Sequence, residues 1–138
     1  MTTIGRLLTE EQGRLTVRRV LSVDDGAAKV ETTFETVGFL HDVRYTALGT
    51  LWSYIRPDGT LYGELKGGLR TDDNDTGVYR GITGGKYLAD TKHGRTYRGA
   101  ITFENTVGAL AELNSALAVF ELEIDDSNNV NYRTWELV

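Results

Sequence analysis

The sequence predicts an all-β chain, an antiparallel meander of eight or nine strands closed into a small barrel. Three observations point there. Glycine recurs inside alternating apolar and aromatic runs, as in Thr60-Leu-Tyr-Gly-Glu-Leu-Lys-Gly-Gly-Leu-Arg70 and Val78-Tyr-Arg-Gly-Ile-Thr-Gly-Gly-Lys-Tyr-Leu88. Glycine weakens a strand interior, so its repetition signals sharp bending or close backbone approach, which a small closing sheet requires. Turn chemistry punctuates the chain at short intervals. The only proline, Pro57, sits in one of these turns, so the strands between them keep their N–H donors.

The elements follow in order from the punctuation. Turns are expected at Thr9-Glu-Glu-Gln-Gly13, Asp24-Asp-Gly26, Pro57-Asp-Gly59, Asp72-Asp-Asn-Asp-Thr-Gly77, Thr91-Lys-His-Gly94 and Asp125-Asp-Ser-Asn-Asn129. Gly and Asn tolerate positive φ there, and Asp side chains bond the turn backbone. The intervening runs read as strands over residues 2–8, 14–23, 29–40, 43–55, 60–71, 77–88, 95–105, 116–124 and 130–138. Period two is clear in several. Phe120, Leu122 and Ile124 oppose Glu121 and Glu123, and Tyr97, Gly99, Ile101 and Phe103 oppose Arg98, Ala100, Thr102 and Glu104. Such alternation is what a half-buried strand needs.

The run 43–55 is apolar on both faces: Val43, Tyr45, Ala47, Leu51 and Ile55 on one, Leu48, Trp52 and Tyr54 on the other. In a barrel, one such face lines the lumen and the other packs on a partner subunit or a crossing segment, so a homodimer or other homo-oligomer is expected. Val107, Leu110, Ala111, Asn114, Leu117 and Ala118 have helical spacing. They predict one short helix or 3₁₀ turn between residues 107 and 115, placed to plug a barrel end.

Composition narrows the function classes. With 138 residues, 40% hydrophobic and 25% charged, the chain is read as a single domain, residues 1–138, with a sizeable core. No apolar run approaches the ~18–20 residues of a membrane span, and Met1-Thr-Thr-Ile-Gly-Arg6 lacks a secretory layout. A cytoplasmic protein without a membrane partner is expected. The net charge of −5 and the lack of a Lys/Arg cluster argue against nucleic acid, whose binding depends on phosphate neutralisation. Cysteine is absent, which removes disulfides, thiolate metal sites and a Cys nucleophile. No metal and no other cofactor is expected.

Several motifs fail on spacing. Asp72-Asp-Asn-Asp-Thr-Gly77 has Thr83 where a calcium loop needs its bidentate glutamate, so an acidic hairpin turn is the better reading. Gly84-Gly-Lys86 has Arg80 and Tyr87 where a phosphate loop needs Gly and Ser or Thr. Asn74-Asp-Thr76 matches a glycosylation sequon but has no secretion signal with it.

The candidate site residues are aromatic, acidic and basic. Tyr62, Glu64, Lys66 and Arg70 share one strand face, with Leu61, Leu65 and Leu69 on the other. If the charged face points outward it is a solvated exterior, which the cost of burying charge favours. If it points inward it anchors a ligand carboxylate or enolate, with Tyr62 or Glu64 moving a proton. Arg80 and Arg98 carry the same ambiguity. His41 and His93 read first as solvated turn residues; the functional alternative makes His41 a general base at the barrel mouth. Tyr45, Trp52, Tyr54, Tyr79, Tyr97, Phe103, Phe120, Tyr132 and Trp135 read as core and barrel lining, and all but Tyr132 are also taken as the aromatic wall of a ligand site.

Gly49-Thr-Leu-Trp-Ser53 followed by Arg56-Pro-Asp-Gly-Thr-Leu-Tyr-Gly-Glu64 resembles a family of small uncharacterised microbial proteins, with further points of contact at Arg98-Gly-Ala100, from Leu113-Asn114 through Val119-Phe-Glu121, and at Trp135-Glu136. The resemblance implies a shared fold and no catalytic residue. Residues 70–86 are more charged than that pattern. The layout is also similar to calycin-like barrels, including the allene-oxide-cyclase-like group, in which a hydrophobic lumen folds a flexible substrate without a cofactor. Three functions remain open: binding of a hydrophobic small molecule in the lumen, a cofactor-free cyclase or isomerase working by confinement, and a structural or oligomerising module with a filled core.

Overall fold

The computed structural model describes all of residues 1–138. Eight strands follow one another along the chain: β1 (Ile4–Asp24), β2 (Ala27–Leu40), β3 (Val43–Ile55), β4 (Thr60–Thr71), β5 (Thr76–Tyr87), β6 (Arg95–Glu104), β7 (Leu117–Ile124) and β8 (Asn129–Leu137). Each pairs antiparallel with its sequence neighbours, and β1 also pairs with β8, so the sheet is a closed barrel. The expected turns at Asp25-Gly26, Pro57–Gly59 and Asn128 are present. Asp25, Gly26, Gly59 and Asn128 take positive φ there, as Gly, Asn and Asp do at low steric cost.

The turn expected at Thr9–Gly13 does not form. β1 is one 21-residue strand through that segment, so the chain has eight strands rather than nine. Gly13 serves a different need. A Cβ on it would lie 1.9 Å from the Glu35 carbonyl oxygen of β2, so the glycine admits a close backbone approach inside a bent strand rather than a reversal.

Inward positions follow the period-two pattern. Tyr45, Ala47, Leu51 and Ser53 of β3, Leu61, Leu65 and Leu69 of β4, and Phe120, Leu122 and Ile124 of β7 are buried, while Glu121 and Glu123 are exposed. The inward apolar side chains form one contiguous cluster of 21 residues, and burial of this apolar surface is the main stabilising term.

The two ends of the barrel differ. At one end the 3₁₀ segment Gly108–Ser115 turns Leu110 and Leu113 into the core, both fully buried. This is the plug that the spacing of Leu110 predicts. Asn114 holds the segment by bonding the backbone N–H and carbonyl of Thr106.

At the other end β1 outruns the barrel. Its pairing with β8 stops at Arg14↔Asn129, whereas its pairing with β2 continues to Asp24↔Ala27. Residues 15–24 of β1 thus form an overhanging ribbon paired on one side only, with a part of β2 that β3 holds on its other edge, and the ribbon is irregular between Leu15 and Val17 and between Val20 and Ser22. Bulges bend and twist a strand. Arg18 donates from Nη2 to the Tyr87 hydroxyl at 3.1 Å. Since β5 stands opposite β1 in the ring, this bond spans the mouth.

Replacing Gly13 by Ala is expected to destabilise the protein by about 1–3 kcal/mol, the cost of overpacking a site that cannot relax. Gly84→Ala, with only the Leu61 carbonyl at 3.9 Å from its new methyl, should be neutral or stabilising by up to about 1 kcal/mol. Urea unfolding of the two variants measures the difference.

Candidate functional site

The barrel interior holds a polar cluster among the apolar side chains. Glu11 of β1 is buried, and both of its carboxylate oxygens accept hydrogen bonds, one from Thr36 at 2.5 Å and one from the Tyr45 hydroxyl at 2.6 Å. Room for it comes from Gly38, where a Cβ would lie 2.4 Å from the Glu11 Cγ. Thr9 and Thr134 share a further hydrogen bond at 2.6 Å. Tyr79 and Tyr132 stack at 6.2 Å between ring centroids, and neither hydroxyl has a partner.

Electrostatics in this cluster are set by burial. Loss of hydration pushes the Glu11 carboxyl above its ordinary value, partly opposed by the Thr36 and Tyr45 donors. Burial, with the Glu11 charge nearby, raises the Tyr45, Tyr79 and Tyr132 phenols as well. A phenol donating to a buried carboxyl is an acid–base pair able to hold and relay a proton.

A second polar group lies at the end spanned by the ribbon. Arg95, the first residue of β6, continues the inward face of Tyr97, Gly99, Ile101 and Phe103 and is 1% exposed. Its Nη1 donates to the His93 carbonyl at 2.8 Å, and its Nη2 has no partner. Thr32 Oγ1 is also buried without a partner. Ser53 and Tyr97 meet at 3.3 Å.

The sequence candidates divide between the two faces of the wall. Tyr45, Tyr79, Tyr97, Phe103 and Phe120 are buried inside. Tyr62, Glu64, Lys66, Arg70, Arg80 and Arg98 point outward and are exposed, the face on which charges keep their water. Trp52, Tyr54 and Trp135 also lie on the outward phase, with Trp52 and Trp135 half-buried. Arg80 and Arg98 pair with Glu104 and Glu121, and Arg70 bonds Asn74.

Tyr62, Glu64, Lys66, Arg80, Trp52 and Tyr54 do converge, but on an open outer groove of about 870 Å³. There Lys66 stands 4.5 Å over the Trp52 ring, whose indole N–H donates to Glu31 at 3.1 Å. His41 is remote from them. It sits in the β2–β3 turn at the plugged end, with Nε2 3.0 Å from Glu112 of the 3₁₀ segment. The structure therefore does not assemble His41, Tyr62 and Glu64 into one site.

Tyr132, expected in the core, is buried there, whereas Glu11, Thr36 and Arg95 escaped the sequence reading. The signal for Arg95 was present, because it shares parity with Tyr97, Ile101 and Phe103. Glu11 was hidden by the apparent turn at Gly13, which removed it from any strand and so from any face.

The weakened acidity of the Glu11 carboxyl has a sign that can be checked. The folded protein binds this proton more tightly than the unfolded chain, so stability falls as pH rises above the ordinary carboxyl range and levels off above the raised value. Glu11→Gln keeps the shape and cannot ionise. Its melting temperature should exceed the parent's by a gap of a few degrees that widens with pH across this window. Melts of both proteins at a series of pH values read it, and a constant gap would refute the buried-acid account.

No protein-family model matches the chain, and no curated protein matches its sequence. Solved structures do match its fold. A protein of unknown function from Clostridium acetobutylicum aligns with a TM-score of 0.81 at 12% identity, covering 100% of both chains. A conserved protein of unknown function from Rhodopseudomonas palustris gives 0.80 at 13%, covering 100% of this chain and 99% of its own. A β-barrel-like protein from Acinetobacter baumannii gives 0.78 at 15%, covering 100% and 97%. At these identities the likeness is one of fold: the chain shares a closed β-barrel architecture with bacterial proteins of unknown function.

Proposed function

We propose that the protein binds a small, largely apolar molecule inside the barrel, admitted at the end spanned by the β1 ribbon. One observation carries this reading. Four polar atoms inside the barrel, Thr32 Oγ1, Tyr79 Oη, Tyr132 Oη and Arg95 Nη2, are buried without partners. Each unmet group costs about 1–3 kcal/mol, and a ligand with a few polar atoms offsets that cost. The apolar walls around them suit the rest of such a molecule. Uptake requires the ribbon to lift and the inward side chains nearest it to part.

A cofactor-free cyclase or isomerase of the allene-oxide-cyclase-like kind, on a calycin-like barrel, is the second reading. The specific observation that favours it is the enclosed Tyr45–Glu11 pair, which would supply the proton transfer in place of the outward-facing Tyr62 and Glu64. The competing structural reading, a filled core with an oligomerising exterior, draws on the continuity of the 21-residue cluster.

Native mass spectrometry of freshly purified protein is the first test. A non-protein adduct at one per chain is the expected result. An adduct-free spectrum, together with no melting shift from a panel of apolar fluorescent probes, would leave the filled-core reading standing instead. Tyr87→Phe removes the bond across the mouth. It should speed release of a bound probe about fivefold, the kinetic equivalent of one hydrogen bond of ~1 kcal/mol, as followed by stopped-flow fluorescence.

A further inference from the structure

We infer that Arg95 is the anchor for an oxyanion on the bound molecule, so that the ligand is an amphiphile with an acidic head and an apolar body. The inference rests on the binding reading above and assigns the chemistry of the ligand.

The argument starts from charge. Arginine stays protonated throughout the physiological range, so its burial places a full positive charge in a dry site. Such a charge is ordinarily paired. Arg95 is 1% exposed, yet it takes part in none of the protein's ion pairs, which join Arg6, Arg19, His41, Arg44, Arg80, Arg98 and Arg133 to acids. Its one hydrogen bond goes to the neutral carbonyl of His93.

Of the acids in the two adjoining turns, Asp90 is exposed and joins no ion pair, and the other two are occupied elsewhere. Asp126 accepts from the backbone N–H groups of Lys92 and His93, and Asp125 accepts from Ser127 and Asn129. The chain thus holds a buried guanidinium and supplies it with no anion.

The surroundings fit an amphiphile better than a bare ion. Ile124, which pairs with Arg95 across β6 and β7, is buried, as are its own partner Val130 and the next inward residue of β6, Tyr97. An apolar body lies against these while the head meets the fork of the guanidinium, whose planar donors match a carboxylate or phosphate. On the other side Arg95 pairs with Tyr87, the residue that Arg18 holds from across the mouth. A second guanidinium therefore stands at the same end, positioned to meet an incoming anion and to close behind it.

The test uses the full chain, stripped of adducts, with dodecanoate, dodecanol and inorganic phosphate as probes in calorimetric titrations. The parent should bind dodecanoate at least about tenfold more tightly than dodecanol, as expected for one charge-assisted contact. Arg95→Met should abolish that preference by weakening the acid alone, with the alcohol unchanged within about twofold.

The variant should also melt higher than the parent when both are ligand-free, because an unpaired buried charge has been removed. A lower melting temperature for both Arg95→Met and Arg95→Gln would make the guanidinium a structural group and overturn the assignment. Equal affinity of the parent for acid and alcohol would overturn it too, while the apolar-binding reading survives. Binding of neither probe would end that reading. Binding of phosphate alone, lost in Arg95→Met, would replace the amphiphile with a free anion and overturn the proposal as stated.

Discussion

The structure depends on β1 serving two ladders at once. Between Thr9 and Arg14 this strand pairs with β2 on one side and β8 on the other. Remove the second ladder and the sheet has two open edges and no inside. With it, the inward face of every strand is withdrawn from water, and every buried polar group must find its partner within the ring or remain without one. The environments of Glu11 and Arg95 both follow from that closure.

Much of the fold was legible because a half-buried strand repeats every two residues. The alternation of Phe120, Leu122 and Ile124 against Glu121 and Glu123 reported its face directly, and Leu110 reported the plug. The face of β4 was open in the sequence, since Leu61, Leu65 and Leu69 and the charged set obey the same period. Desolvation of Glu64, Lys66 and Arg70 decides it, and the leucines go in. The segment around Gly13 misled, because glycine beside polar residues looks the same whether it turns a chain or lets two backbones touch. Only the long-range partner Glu35 distinguishes the two.

The site was less legible than the fold for a related reason. Sequence reasoning looks for reactive residues where they cluster along a face, and Tyr62, Glu64, Lys66 and Arg80 do cluster, on an exterior groove. The interior polar groups come from strands far apart in sequence: Glu11 from β1, Thr36 from β2, Tyr45 from β3, Tyr79 from β5, Arg95 from β6 and Tyr132 from β8. No local pattern announces such a set. It is defined by ring closure, and the fold alone does not fix what it does. The outer groove has its own order, with Arg19, Glu31, Trp52 and Lys66 linked side to side over four strands. Such contacts stiffen the wall against which the inner side chains lean.

The ribbon beyond Arg14 leaves one edge of β1 without a neighbouring strand over ten residues, and Val17, Val20 and Val23 are exposed along it. A straight, apolar border of that kind would invite another chain to zip on and seed fibrous assembly. Here the two irregularities spoil the regular spacing of donors and acceptors, and the adjacent Arg18 and Arg19 bring repulsion to any identical border laid beside them. The deformation that curls the ribbon over the mouth therefore also works against pairing of this one edge with an identical edge.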